Sequence, residues 1–162
     1  MTFGIDVQND EGYAVDSERL VAAATAVLTA HNVPPDISLS VVLTSDEAVA
    51  ALNEQYRGID MPTDVLSFPA APLPVEVPDS APYLGDLVIA YPYAAAQAAA
   101  LGHTLNDSLA LLVVHGTLHL LGYDHDTEAN RAIMWAAQAR ALDALNISTE
   151  LVPALEDNAH GE

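Results

Sequence analysis

The sequence predicts a single α/β domain of about four strands packed with about five helices, and three observations carry that reading. Short β-rich runs alternate along the chain with longer stretches of helical period. One of those stretches, Leu109–Val114, is apolar nearly all round and so belongs inside a core rather than on its surface. The chain of 162 residues is 51% hydrophobic and has no internal repeat, which suits one real core.

Taken in order, Phe3–Gln8 alternates in polarity and predicts the first strand. Ser17–Ala30 reads as a helix, because Leu20, Ala23, Ala24, Val27 and Leu28 form one apolar stripe. Ile37–Leu43 is a β-rich second strand, and Thr44-Ser-Asp-Glu47 offers a capping box for a helix running to about Tyr56. Asp64–Phe68 and Gly85–Tyr91 are the third and fourth strands. Between them, Pro69–Pro82 holds five of the ten prolines, which excludes regular structure and leaves either an inert connection or a flap over a site. A helix from about Pro92 to Leu101 places its proline where a first turn tolerates one. The buried helix begins after Asn106 or Asp107 and ends at Gly122. A last helix from about Thr127 to Leu145 turns Met134, Trp135, Ala139 and Leu142 to the core. Residues 1–147 form the domain, and residues 148–162 read as a flexible acidic tail.

Composition removes several classes of function. The chain has no cysteine, which rules out disulfides, iron–sulfur clusters and thiolate nucleophiles, so any metal must be held by His, Asp or Glu. The N-terminus lacks the basic and apolar regions of a signal peptide, and the longest apolar run, Leu87–Leu101, is too short to span a bilayer. A cytoplasmic protein with no membrane partner is expected. The formal net charge is −19, with 23 acidic residues against four arginines: Arg19, Arg57, Arg131 and Arg140. A broad basic footprint for nucleic acid is therefore absent, and the acidic surface keeps the chain soluble.

The chemistry is concentrated in the run His115-Gly-Thr-Leu-His119-Leu-Leu-Gly122-Tyr-Asp-His125, which holds three of the six histidines. His115 and His119 are four apart and share one face of a helix. Gly122 can take the positive φ that ends a helix, and that turn carries His125 back toward the other two. Three imidazoles converging with a fourth position open make a catalytic zinc site at the C-terminal end of the central helix. The spacing is that of one class of zinc peptidases, whose general base follows the first histidine. Here that residue is Gly116, so peptide hydrolysis is disfavoured.

Partners for the metal must come from elsewhere. Arg57, in Leu52-Asn-Glu-Gln-Tyr-Arg57-Gly58, suits bidentate phosphate binding, although taken on its own a surface salt bridge is the favoured reading. Asp64 in Thr63-Asp64-Val-Leu-Ser-Phe-Pro69 and Asp86 in Leu84-Gly-Asp86-Leu87 can serve as base or orient a ligand, or simply end strands. Asp124 is either a ligand-orienting carboxylate or a turn former. His103 is ordinarily a helix cap, and His160 falls in the tail.

The run HGTLHLLGYDH, with LNEQYRG, PTDVLSFP and LGDL before it in that order, resembles the YbeY family of bacterial endoribonucleases. The matching blocks span roughly residues 43 to 125. The resemblance implies a mixed sheet, zinc on His115, His119 and His125, and metal-dependent cleavage of single-stranded RNA with Arg57 tied to activity. It further implies work on ribosomal RNA, notably 3′-end maturation of the small-subunit RNA, and in ribosome quality control. In the resulting picture Asp86 or Asp64 orients the nucleophile, and RNA and the ribosome or its small-subunit proteins are the partners. The alternatives are a non-catalytic ribosome assembly factor with a structural zinc, or a metal-dependent hydrolase of another substrate.

Overall fold

The computed structural model describes residues 3–70 and 82–149. Among them, four strands and five helices follow the order β1 (Gly4–Gln8), α1 (Ser17–Ala30), β2 (Ser38–Thr44), α2 (Asp46–Arg57), β3 (Val65–Pro69), β4 (Tyr83–Ala90), α3 (Tyr91–Leu101), α4 (Leu105–Leu120) and α5 (Glu128–Ala144). The strands form one mixed sheet in the order β1-β2-β4-β3. β1, β2 and β4 run parallel, and β3 lies antiparallel to β4 on the edge. Most of the loop expected at 69–82, and the tail from residue 150 on, lie outside the described residues.

Strand alternation divides the core into two. Leu39, Val41 and Leu43 of β2, Val65 of β3, and Leu87 and Ile89 of β4 face the larger cluster, shared with α1, α4 and α5. The intervening residues Leu66, Val88 and Ala90 face the smaller cluster, covered by Val49 of α2. The expected stripe of α1, from Leu20 to Leu28, is buried residue for residue. α4 is buried continuously from Leu109 to Leu120, as a helix apolar on all sides must be.

Three elements differ from expectation in ways with a physical cause. α2 is capped by Ser45, whose Oγ accepts the Ala48 N–H at 3.1 Å, because Thr44 is still paired in β2. α4 starts earlier than expected, with Thr104 as its cap at 3.4 Å from the Asp107 N–H. On α5, Ala139 is only half-buried, while Ala137, Gln138 and Ala141 are buried with Met134 and Leu142.

Candidate metal centre

α4 brings the first two imidazoles together because four residues separate them on a helix that lies against the sheet. The close approach depends on Gly116: a Cβ there would sit 2.7 Å from Leu87 Cδ2 and 3.3 Å from Ser67 Oγ. The position that carries a glutamate in the peptidase pattern is therefore pressed onto β4 and β3 and has no room for a side chain. His115 and His119 project from the helix with their Nε2 atoms 3.1 Å apart.

The third imidazole is delivered by the helix terminus. Gly122 adopts φ +103, its N–H bonds to the His119 carbonyl at 3.0 Å, and the Tyr123 N–H bonds to the Leu118 carbonyl at 3.0 Å. This pair of bonds is the glycine-dependent stop that reverses the chain at a helix end. Asp124 Oδ1 then accepts the His125 N–H at 2.8 Å and steadies the returning strand of the turn. The His125 ring comes to 5.4 Å from that of His115 and 5.1 Å from that of His119, between centroids. One nitrogen from each of the three histidines lies within 4.8 Å of the others.

Hydrogen bonds at the far side of the rings fix what each offers. His119 Nδ1 lies 2.9 Å from the Tyr123 carbonyl, which can only accept, so that nitrogen carries the proton. His115 Nδ1 lies 3.1 Å from Gln138 Oε1 and donates to it. Both Nε2 atoms therefore present lone pairs to one point. Two lone pairs at 3.1 Å repel unless an electrophile lies between them. Nitrogens sharing one tetrahedral zinc at about 2.0–2.1 Å are about 3.3 Å apart, so the donor set fits such an ion.

Two supports for this arrangement have no local signature. His31, at the end of α1, donates from Nδ1 to the Val27 carbonyl at 2.7 Å and accepts the Tyr123 hydroxyl at Nε2 over 2.7 Å. The loop that carries His125 is thus pinned to α1, across 92 positions of sequence. Trp135 of α5 packs against the core as read from sequence, and its ring also meets His125 and His115 edge-on, with centroids 5.5 and 5.9 Å away. Gln138 did carry a signal: a polar residue three and four positions from Trp135, Met134, Ala141 and Leu142, on the face that α5 buries.

Among the described residues, the centre opens on one side. A cavity of about 260 Å³ is lined by Ser67, Pro69, His119, Gly122, Tyr123 and Asp124. Asp126, just past the third histidine, is held below the usual carboxylate range by the Asn130 side-chain amide, which donates to it at 2.8 Å. Acidic charge therefore persists beside the imidazoles.

The other residues expected at the site lie elsewhere. Asp86 is not brought to the imidazoles: its register partners are Ser40 and Phe68, and it shares the α2 side of the sheet with Val88. There it accepts the Tyr83 hydroxyl, and burial followed by that hydrogen bond holds the Tyr83 phenol above its ordinary value. Asp64 is fully buried, with Oδ1 2.8 Å from the Val65 N–H, and faces the same side. Arg57 ends α2, exposed, on that side too. Asp86 points away from the histidines because adjacent residues of a strand point to opposite faces, and its neighbour Leu87 takes the α4 side. His103 closes α3, its N–H bonding to the Ala98 carbonyl at 2.9 Å, and is no part of the cluster. His160 lies outside the described residues.

Comparison with known proteins adds an independent finding. The sequence profile of the family described as Endoribonuclease YbeY matches residues 5–146. A Chloroflexus aurantiacus protein named Endoribonuclease YbeY is 46% identical over 129 residues, covering 78% of this chain and 84% of that one. A Chloroflexus aggregans protein of the same name is 42% identical over 151 residues, covering 91% and 99%. One from Mycobacterium ulcerans is 42% identical over 144 residues, covering 86% and 81%. The solution structure of a Thermotoga maritima protein superposes with a TM-score of 0.55 at 24% identity, over 99% of each chain, which speaks to the fold alone.

Proposed function

Since this chain belongs to the YbeY family of endoribonucleases, we propose that it is a zinc-dependent hydrolase that cuts single-stranded RNA at the three-histidine centre. The observation that carries the reading is the pair of acceptors, Gln138 Oε1 and the Tyr123 carbonyl, that turn two neutral imidazoles toward one point. A solvent cavity beside His119 favours a catalytic over a structural metal, because structural zinc sites are closed. Zinc held by His115, His119 and His125 would supply Lewis acidity toward a phosphoryl oxygen and lower the pKa of a bound water to about 7.

The protein's own contribution is then position and charge. His115 and His119 keep their tautomers through the transfer because their Nδ1 protons are committed to fixed acceptors. Asp124 lines the same cavity as His119 and is the carboxylate to which this reading gives the nucleophile's proton. This reading gives Asp86 no such role, because it lies on the α2 side of the sheet. Arg57 is assigned a more distant contact with the strand: Pro69, at the end of edge strand β3, lines both the metal-side cavity and a groove of about 490 Å³ that Tyr56 helps to form. Ribosomal RNA is the assigned substrate, in 3′-end maturation of the small-subunit RNA and in ribosome quality control. Ribosomal proteins would supply the positive charge lacking from a chain of formal net charge −19.

The deciding experiment is cleavage of a labelled single-stranded RNA by the zinc-loaded parent, His115→Ala and Asp124→Asn, with metal content measured in each. His115→Ala should lose bound metal and cleavage together. Asp124→Asn should keep the metal and lose rate. Equal cleavage by all three would mark a contaminating nuclease and end the proposal.

A further inference from the structure

We infer that Arg131 binds a phosphate of the RNA strand flanking the scissile one, an inference that rests on the endoribonuclease reading and assigns its substrate a second anchor. The chain has four cationic side chains besides its histidines, all arginine, and they lie at different places in the fold. Arg19 is ion-paired to Asp107 of α4. Arg57 ends α2, on the sheet face opposite the histidines. Arg140 follows Arg131 by nine residues of α5, half a turn out of phase and about 13 Å along the axis.

Arg131 is linked to the centre through a residue of its own helix. Its Cζ lies 5.3 Å from the centroid of the Trp135 ring, over its face. That ring meets His125 at 5.5 Å and 74°, and His115 at 5.9 Å and 85°. The guanidinium is thus exposed, one indole away from two of the three ligands. A cation–π contact holds the charge over the ring while the N–H donors of arginine lie at its edge, where they suit bidentate phosphate binding.

Two cavities share a wall beside its helix. Gly122, Tyr123 and Asp124 line both the cavity beside His119 and a second one of about 310 Å³ whose far wall is Asn130 and Ile133 of α5. RNA seated in the first cavity and continuing into the second passes the turn of α5 that bears Arg131. Asp124, Asp126 and Glu128 also crowd this end of the molecule. A polyanion approaching them needs a local cation besides the metal, and Arg131 supplies it.

The test compares the zinc-loaded full chain with Arg131→Ala and Arg131→Lys on a short single-stranded RNA, recording KM, kcat, and binding across a series of salt concentrations. Arg131→Ala should raise KM about tenfold with kcat little changed. Its plot of log affinity against log salt should be shallower by about 0.7, the loss of one phosphate contact on a single strand. Arg131→Lys should keep the parental slope. Parental KM and slope in Arg131→Ala overturn the inference, as does loss of bound metal, which would make the residue a packing partner of Trp135. A parent that cuts no RNA overturns the endoribonuclease reading itself, an outcome distinct from either.

Discussion

Gln138 and the Tyr123 carbonyl decide what His115 and His119 can be. With the Nδ1 protons committed, two neutral imidazoles both turn a lone pair inward, and a cation between them accounts for the 3.1 Å approach of the Nε2 atoms. Gln138 is fully buried, and its Nε2 makes no hydrogen bond to the described residues, a desolvation cost of about 1–3 kcal/mol. Burying that amide serves the histidine rather than the core. Replacement by leucine relieves that cost but leaves the buried His115 Nδ1–H without its acceptor, so the two effects should nearly cancel in stability. Metal affinity should fall about 10- to 100-fold, measured by competition with a chromogenic chelator. Unchanged affinity would reduce Gln138 to packing. Nitrogen chemical shifts of the metal-free variant should also show His115 losing its fixed tautomer.

At the scale of elements, the centre depends on how closely α4 can lie on the sheet and how sharply it stops. Gly116 sets the first: an added methyl would press into Leu87, which is fully buried and packed from all sides. Gly116→Ala should destabilise the fold by about 1–3 kcal/mol in urea denaturation, the usual range for overpacking a tight core. A parental midpoint would mean that Leu87 can move aside. Gly122 sets the second, since φ +103 is a conformation that an L side chain rarely adopts. The histidine spacing made both glycines visible, one as a missing glutamate and the other as a helix stop. The end of α4 was legible for the same reason, because Gly122 is a local signal, whereas its start at the Thr104 cap was placed too late. The buried face of α5 was less legible: a glutamine inside it breaks the apolar period from which faces are read.

Across the whole molecule, the sheet acts as a partition. Its α4 side carries the three imidazoles and the larger core; its α2 side carries Asp64, Asp86 and the end of the helix bearing Arg57. Edge strand β3 is where the two sides meet, and Pro69 lines a cavity on each. Over this frame lies a formal charge of −19, whose self-repulsion opposes compactness. Raising NaCl from about 10 mM to about 0.5 M shortens the screening length from about 30 Å to under 5 Å, and the melting temperature should rise accordingly. A melting temperature indifferent to salt would show that the charges are already neutralised by neighbours or bound counterions.

By itself, the sequence determined the alternation of strands and helices, the buried central helix, and the three histidines with the glycine that reverses the chain between them. Each is a local pattern: a period of two or 3.6 residues, a cap, or a turn with one permissive residue. Tertiary structure decided which polar residues reach those histidines. Asp86 looked close in the order of motifs but lies across the sheet, while Gln138, Trp135 and His31 arrive from helices that no local spacing relates to the site. The reason is that side-chain direction within an element follows from periodicity, whereas the partner an element meets follows from sheet order and packing, which a single chain does not spell out residue by residue.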